Sequence, residues 1–380
     1  MSPGQIRRMQ NKKLRAFIRY QIPFHPFYRR VFKKLGIDPS SIKRIEDLEK
    51  LPLTTKKDIL PTEKNPEVYK DFILQPDEKT ILSAWPMNRL LVMGMKKSFG
   101  VDVAEEFREE YAPSLIIATS GTTGNNVPFV YTQYDLEIFG RSFIRNALVG
   151  GITPESKALN LFPFAPHLAF YHTLIAALRG GWFVYHTGGG DVTSTEKAID
   201  LARKLQVDTL IGIPSYLYHM VRKSVELHKP LSTITRIMGA GERFPEGSKK
   251  KIERMLVDMG SPGVDIIDVY GATEMRTAFT ECRPLTQEFH THPDLLITEI
   301  VDPKTGEQLG PGERGALAIT SIDGRGSTVM RYLIGDIFEG GIVYDRCPRC
   351  SSPVPRLIGP IRRSHYYEET IHLTNIKGPL

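Results

Sequence analysis

The chain of 380 residues is 41% hydrophobic and 24% charged, a composition that excludes a disordered protein and a single small domain. Its formal net charge of +7 is unevenly distributed, because residues 1–37 carry ten Lys or Arg and no acid, and the rest carries a net charge of −3. No apolar run reaches the length of a membrane span and no signal-peptide core is present, so we expect a cytoplasmic protein without a membrane segment.

The basic N-terminal segment allows more than one interpretation. Runs of charge usually form the solvated face of a helix, and apolar residues such as Ile6 and Phe17 would dock such a helix on a core. An Arg-rich, acid-poor N-terminus is also typical of a transit peptide. Binding to nucleic acid is disfavoured, because the remaining chain is acidic and contains no nucleic-acid motif.

From Ser114 onward, strand patterns alternate with helical patterns. The runs SLIIAT, KALNLFPF, WFVYHT, TLIGI, RIMGAG and DIIDVYG predict strands, and helices are predicted between them, for example over 134–148 and 248–257. This alternation is typical of a mainly parallel sheet covered by helices, in which ligands lie at the carboxyl ends of strands. After Gly271, short strands and turn residues predict a smaller antiparallel β subdomain.

The loop TSGTTG (119–124) follows the first predicted strand. Gly121 and Gly124 would let backbone N–H groups turn toward an anion, and the hydroxyl groups of the loop add donors. The loop lacks the lysine that completes the P-loop pattern. On its own it leaves two alternatives open, a phosphate cradle or an ordinary polar loop.

Three later strand ends carry residues suited to a nucleotide, in the motifs GAGE, VYGATE and RYLIGD. The small residues of GAGE (239–242) would let a flat ring approach the backbone, and Tyr270 would stack on that ring. Glu274 offers the oxygen ligand that Mg²⁺ prefers, and Asp336 could accept hydrogen bonds from both hydroxyls of a ribose. Each of these residues also has a purely structural alternative. Tyr270 could be a core aromatic, Glu274 a carboxylate that stabilises the start of a helix, and Asp336 an aspartate of a turn.

In this order, the four loops resemble those of the adenylate-forming (acyl-CoA synthetase-like, AMP-binding) superfamily, and in particular its phenylacetate–CoA ligase branch. The resemblance runs roughly from Gln21 to Ile361, and it makes the basic segment a helix of the family rather than a transit peptide. It implies an α/β fold with helix-covered, mainly parallel sheets and a smaller antiparallel β subdomain. The domains expected are a helical segment packed on the core (1–110), an α/β nucleotide-binding core (111–275) and a β-rich subdomain (276–380).

The resemblance also implies a role for each loop. Thr273 would contact the α-phosphate, Glu274 would hold Mg²⁺, and both would act in catalysis together with Thr119 and Thr123. The residues implied to grip the ATP phosphates are Thr119, Ser120, Gly121, Thr122, Thr123 and Gly124. Those implied to bind adenine and ribose are Ala240, Gly241, Glu242, Tyr270, Gly271 and Asp336.

The reaction implied is the attack of a carboxylate on the α-phosphorus of ATP, which gives an acyl-adenylate and pyrophosphate. Such chemistry depends on positioning and charge neutralisation more than on a covalent nucleophile. Aromatic residues near 162–171 and the Ala240 edge suit an apolar or aryl acid, although they suit a plain core equally well; they are Phe162, Phe164, Phe170 and Tyr171. Expected partners are this small carboxylic acid and then CoA or an acceptor protein, and a homodimer is compatible with the sequence.

The three cysteines predict a second kind of site. Cys347 and Cys350 form a C-x₂-C pair, a spacing typical of zinc knuckles, and Cys282 has His290 eight residues after it. The resemblance to the ligase branch implies His290 as the fourth ligand, with His292 as its competitor. A Cys₃His set would close a tetrahedral structural zinc site without an open position. The alternative is a set of reduced thiols without a metal.

The sequence departs from the family pattern in three places. Asn125 and Asn126 stand where relatives often carry a loop lysine, and the hinge that usually reads Gly-Arg-x-Asp has Pro360 and Arg362 instead. Third, the sequence ends at Leu380, and we expect it to lack the mobile C-terminal domain of about 100 residues that the family carries. That domain brings a catalytic lysine and completes the CoA tunnel, and nothing places Lys377 in that role. We therefore expect adenylation more firmly than thioester formation, and the alternative is a catalytically degenerate nucleotide- or carboxylate-binding protein, as in a phenazine-like antibiotic pathway.

Overall fold

The computed structural model describes residues 1–119, 126–165 and 168–363. The helices are α1 (Pro3–Tyr20), α2 (Pro26–Leu35), α3 (Lys56–Ile59), α4 (Glu78–Ala84), α5 (Met87–Ser98), α6 (Val103–Tyr111), α7 (Gln133–Val149), α8 (Leu168–Gly180), α9 (Thr195–Lys204), α10 (Pro214–Glu226) and α11 (Glu246–Asp258). The strands are β1 (Pro113–Ala118), β2 (Pro128–Thr132), β3 (Lys157–Asn160), β4 (Phe183–His186), β5 (Thr209–Gly212), β6 (Arg236–Ala240), β7 (Asp265–Ala272), β8 (Thr277–Glu281), β9 (Glu288–His290), β10 (Leu296–Val301), β11 (Gly315–Ser321), β12 (Tyr332–Phe338), β13 (Ile342–Val343), β14 (Arg356–Ile358) and β15 (Ile361–Arg363).

The largest sheet has the strand order β13-β14-β9-β8-β7-β6-β5-β3-β4. Its strands from β4 to β7 are parallel, and α8, α9, α10 and α11 connect them in turn. Parallel strands need such crossovers, and helices on the sheet faces bury strands such as β5 completely. The predicted α/β fold is confirmed, and four antiparallel strands extend its parallel half.

One hydrogen-bonded row crosses five strands of this sheet. Ala240 at the end of β6 pairs with Val269, and Val269 pairs in turn with Thr280 on β8. Thr280 pairs with His290 on β9, and His290 pairs with Arg356 on β14. The strand ends that carry GAGE and VYGATE therefore share one row with a predicted metal ligand.

The first predicted strand lies outside this sheet. β1 pairs antiparallel with β2, with Ile117 opposite Phe129; the strand predicted at SLIIAT and the helix predicted over 134–148 are both present, but the strand β2 between them was not predicted. The apolar run that follows the loop is itself a strand, so the chain turns back on itself before α7 begins, and β1 keeps one side exposed. TSGTTG therefore joins two strands of a hairpin.

The predicted antiparallel β subdomain is present as a sheet with the order β10-β11-β12-β15. The N-terminal segment packs against it, and its apolar residues Leu14, Phe17 and Ile18 are buried in one cluster with residues of β10, β11 and β12. The docking helix predicted from the basic segment is thus observed in α1, while the domain boundaries stay a prediction. Within the part of the chain that the structure describes, no helix has both the length and the apolarity to cross a membrane.

Candidate functional site

The neck of the TSGTTG loop is closed by two hydrogen bonds. The Thr119 N–H donates to the Val127 carbonyl at 2.9 Å, and the Val127 N–H donates to Thr119 Oγ1 at 3.0 Å. Thr119 is buried, so these bonds fix the point at which the loop leaves and rejoins the hairpin. The other predicted phosphate-binding residues lie outside the described residues: Ser120, Gly121, Thr122, Thr123 and Gly124.

The hairpin is joined to the turn that follows β7. Tyr131 on β2 donates from its hydroxyl group to the Thr273 carbonyl at 3.0 Å. Asp135 at the start of α7 forms a buried ion pair with Arg276, whose Nη1 lies 2.9 Å from the carboxylate. The hairpin that carries the TSGTTG loop is therefore joined to the turn Thr273–Met275 and to Arg276, which follows it.

The motifs VYGATE and RYLIGD meet directly. The Tyr270 hydroxyl donates to Asp336 Oδ2 at 2.8 Å, although the two residues are 66 positions apart. The Tyr332 hydroxyl lies 3.5 Å from Glu274 Oε1, and Gly271 pairs with Ala278 on β8 beside them. The structure thus brings together the residues predicted to stack on adenine, hold the ribose and bind Mg²⁺.

The charges around Glu274 act in opposite directions. Burial raises the pKa of its carboxyl group, and the nearby charge of Asp336 raises it further. The charges of Lys56 and Arg363 act against that rise. Burial also raises the pKa of Tyr270 well above its ordinary value, with the charge of Asp336 as the next cause. A cation placed between Glu274 and Asp336 would relieve their repulsion, which suits a magnesium ion.

The segment predicted as an altered hinge forms β15 and pairs with β12. Asp336 lies opposite Arg363 in this pairing, and Arg363 Nε lies 3.3 Å from Asp336 Oδ1. The Arg363 side chain is 68% exposed, whereas Asp336 is buried, so the contact joins a surface cation to a buried carboxylate. Arg362, which replaces the hinge aspartate of the family pattern, pairs instead with Glu339 at 2.8 Å.

GAGE lies at the carboxyl end of β6, beside β7. Ala240 pairs with Val269, and Gly241 has a φ of +88° with open space around its Cα, which only glycine adopts easily. The Glu242 side chain contacts the start of α10, and the role of Glu242 beside adenine stays a prediction. Its Oε2 accepts a hydrogen bond from the Ser215 N–H at 3.3 Å, at the start of α10, where a carboxylate stabilises the helix dipole.

The predicted zinc ligands form a single cluster. The ligand atoms of Cys282, His290, Cys347 and Cys350 all lie within 4.8 Å of one another. The sulfur atoms of Cys282 and Cys347 are 3.7 Å apart, and Cys350 Sγ is 3.7 Å from His290 Nε2. Thiolates bound to zinc at about 2.3 Å in a tetrahedron would be about 3.8 Å apart, so the four residues fit this ion.

The competitor His292 points elsewhere. Its Nε2 lies 3.0 Å from Asn146 Oδ1 in the core, and β9 ends at His290. His290 Nδ1 is buried and has no hydrogen-bond partner within the described ranges 1–119, 126–165 and 168–363. The structure therefore selects His290 between the two histidines.

The aromatic residues predicted to line an acyl pocket are divided between core and surface. Phe162 and Phe170 are buried in a hydrophobic cluster, whereas Phe164 is exposed and lies 4.6 Å from the Phe170 ring between centroids. Tyr171 is half-buried, and Pro166 and His167 of this segment lie outside the described residues. The acyl pocket stays a prediction.

Sequence reasoning missed Lys56, whose positive charge lowers the pKa of Glu274. Thr54 makes a bridge with Tyr332, and the Tyr332 hydroxyl points at Glu274, which places α3 at this site. Within the described residues, Lys56 has no ion pair of its own. The sequence signal that points to Lys56 is the pair Thr55 and Asp58, which forms a capping box and starts a short helix at Lys56.

Comparisons with known proteins match most of this chain. A family profile described as AMP-binding enzyme matches residues 42–332. A phenylacetate-coenzyme A ligase of Thermus thermophilus is 26% identical over 362 residues, which cover 94% of this chain and 70% of that protein. The Escherichia coli phenylacetate-coenzyme A ligase is also 26% identical, over 88% of this chain and 67% of that protein. A 2-hydroxyisobutyryl-CoA ligase crystallised with 2-HIB-AMP and CoA superposes with a TM-score of 0.76 at 20% identity, over 96% of this chain and 70% of that chain, and so shares the fold.

Proposed function

Because the chain belongs to the AMP-binding enzyme family, whose profile spans residues 42–332, we propose that it activates a carboxylic acid by ATP-dependent adenylation. The observation that carries this proposal is the hydrogen bond from Tyr270 to Asp336 beside Glu274. Three residues from two separate motifs, VYGATE and RYLIGD, meet there, and each has the chemistry that one part of a nucleotide requires.

In the proposed site, the carboxyl ends of β6 and β7 receive the base. Ala240 and Gly241 offer a flat backbone surface, Tyr270 offers a ring, and Asp336 accepts hydrogen bonds from the ribose hydroxyls. Thr119 anchors the loop whose other hydroxyl and glycine residues would bind the phosphates. Glu242 contributes through its backbone, since its carboxylate stabilises the start of α10.

The chemical step forms a bond from a substrate carboxylate oxygen to the α-phosphorus, and the bond from that phosphorus to the bridging oxygen breaks, so that pyrophosphate leaves. Magnesium, held by Glu274, would supply positive charge to the departing phosphate oxygens. Thr273 would donate to the α-phosphate from the turn that Tyr131 fixes. Lys56 adds a positive charge near Glu274, and in our proposal it takes the role of the lysine that the TSGTTG loop lacks.

The finer assignments are proposals of the same kind. We propose an aryl or other apolar acid as substrate, since two relatives at 26% identity are phenylacetate-coenzyme A ligases. CoA or the thiol of an acceptor protein would take the acyl group. The Cys₃His cluster would hold one zinc ion and pin the loop after β8 to the turn between β13 and β14, without an open position for chemistry.

Carboxylate-dependent exchange between ATP and pyrophosphate tests the proposal. The purified full chain is assayed with a panel of aromatic and fatty acids, and Glu274→Gln and Asp336→Asn are expected to reduce exchange at least about 100-fold. Glu226→Gln, on the exposed end of α10, is the matched control and should retain full exchange. AMP binding without exchange for any acid would favour the alternative of a degenerate binding protein. Full exchange in both site variants would overturn the assignment of the site.

A further inference from the structure

A buried lysine lies behind the proposed nucleotide platform. The Lys249 side chain on α11 is 4% exposed, and its ammonium nitrogen lies 3.3 Å from Glu281 Oε2 and 3.8 Å from Asp268 Oδ2. The same nitrogen lies 5.4 Å from the centroid of the Phe244 ring, over its face. A charged group is rarely buried to this extent unless it is paired, and the three contacts come from β7, from β8 and from the loop before α11.

These partners lie at the strand ends that form the platform. Asp268 pairs with Gly239 between β7 and β6, two residues before Tyr270. The Phe244 ring packs against Gly239 so closely that a Cβ there would lie 2.4 Å from the ring. The Lys249 ammonium therefore contacts both sides of the GAGE and VYGATE junction, one through a ring and one through a carboxylate.

Glu281 extends the same contact to β8. Its Oε2 accepts a hydrogen bond from the Asp268 N–H at 2.8 Å, and its Oε1 accepts from the Gln287 N–H. One carboxylate thus fixes the backbone of β7 just before Tyr270 and the loop that returns the chain to β9. Lys249 compensates that buried negative charge.

The charge balance of the group depends on Lys249. Burial raises the pKa of Asp268 to about 7, the Lys249 charge opposes the rise, and the Glu281 charge adds to it. Without the ammonium, the Asp268 and Glu281 carboxylates would face each other in the interior with no cation between them, and their repulsion would push them apart. A displacement of Asp268 would move β7 at the residue that precedes Val269 and Tyr270.

We propose that Lys249 is a positioning residue that holds the ends of β6 and β7 in the geometry that binds the adenosine part of the nucleotide. This inference rests on the proposed adenylating function, but it concerns a residue that touches neither substrate. Its effect should therefore fall on nucleotide binding and leave binding of the carboxylic acid nearly unchanged.

The test compares Lys249→Met and Lys249→Arg with Lys250→Met, a control at the next position of α11 whose side chain is 60% exposed and pairs with Glu246. Each full-length variant is titrated with AMP by calorimetry, and KM values for ATP and for the acid are measured by pyrophosphate exchange. Lys249→Met should raise the Kd of AMP and the KM of ATP about tenfold or more, while the KM of the acid changes less than about twofold. Lys249→Arg, which keeps the charge, should restore most of the affinity, and Lys250→Met should behave as the wild type.

Equal changes in the two KM values, or no rescue by arginine, would overturn the inference, because a general loss of packing would act on both substrates. If Lys249→Met does not fold, Glu281→Gln replaces it, since it keeps the size of the side chain and removes the charge that Lys249 compensates. Unchanged AMP affinity in Glu281→Gln would also overturn the inference. Failure of the proposed function is distinguishable, because the wild type itself would then bind AMP without exchange, or would not bind it.

Discussion

Replacing Asp135 by Asn tests whether one buried carboxylate holds the β1–β2 hairpin to the turn after β7. Its Oδ1 lies 2.9 Å from Arg276 Nη1 and accepts from the Arg325 N–H at 3.0 Å. Its Oδ2 accepts from the Thr132 and Gly326 N–H groups at 2.9 and 2.7 Å. The side chains of Asp135 and Arg276 are 1% and 5% exposed, so water screens neither charge.

An asparagine cannot replace these contacts. Its amide nitrogen would face a second donor on one side, and the guanidinium of Arg276 would stay buried without a counter-charge. Removing one partner of a buried ion pair costs about 3–5 kcal/mol, and we expect the free energy of unfolding to fall by about that amount. Asp200→Asn, which breaks the exposed pair with Lys229, should cost about 0–1 kcal/mol.

Urea unfolding followed by circular dichroism measures the loss for Asp135→Asn, Arg276→Met and the double variant. Because the two side chains form one pair, the double variant should lose clearly less than the sum of the single losses. A loss below about 1 kcal/mol for Asp135→Asn, or strictly additive losses, would show that the pair does not hold the hairpin.

Further outcomes follow from the same geometry. Freshly purified protein should contain one zinc per chain by elemental analysis, and Cys347→Ser should lose it and lower the thermal midpoint by more than about 5 °C; protein without stoichiometric zinc would contradict the metal assignment. Lys56→Met should slow pyrophosphate exchange by about tenfold or more, whereas the exposed neighbour Lys57→Met should not, and equal rates for the two would refute the role of Lys56. Burial raises the pKa of Glu274, so the folded protein keeps this proton to a higher pH than the unfolded chain, and stability falls as pH rises above the ordinary value of 4.5. Glu274→Gln has no carboxyl group to titrate, so its free energy of unfolding should not show this fall. The difference between the variant and the wild type should therefore change in favour of the variant as pH rises above 4.5, and a difference that is constant with pH in urea titrations would contradict the raised pKa of Glu274.

The order of elements in the α/β core could be predicted because local patterns determine it. The strands of the parallel half are short apolar runs, and start signals such as Pro214 at the first position of α10 mark the helices between them. The β1–β2 hairpin was missed because its second strand is only five residues long and ends directly at the start of α7. A run this short does not distinguish a strand from the start of the following helix.

The contacts within the site could be predicted only in part. Motif order suggested that Tyr270 and Asp336 serve one ligand, but their direct hydrogen bond depends on how β7 and β12 approach across 66 residues. The cysteine–histidine cluster was easier to predict, since the C-x₂-C spacing alone brings Cys347 and Cys350 close together. Choosing His290 over His292 required knowing that β9 ends at His290. Placing Lys56 at the site required knowing that the segment before α3 bridges to β12.

The row of paired residues from Ala240 to Arg356 restricts how this chain can change in length. A single residue gained or lost within β8 or β9 would shift the pairing and turn His290 to the opposite face of the sheet, away from the three cysteines. The same shift would displace the partner of Val269 beside the proposed base-binding surface. Between β8 and β9, insertions and deletions should therefore be tolerated only within 283–286, because Cys282 and Gln287 on either side are held by the cysteine–histidine cluster and by Glu281.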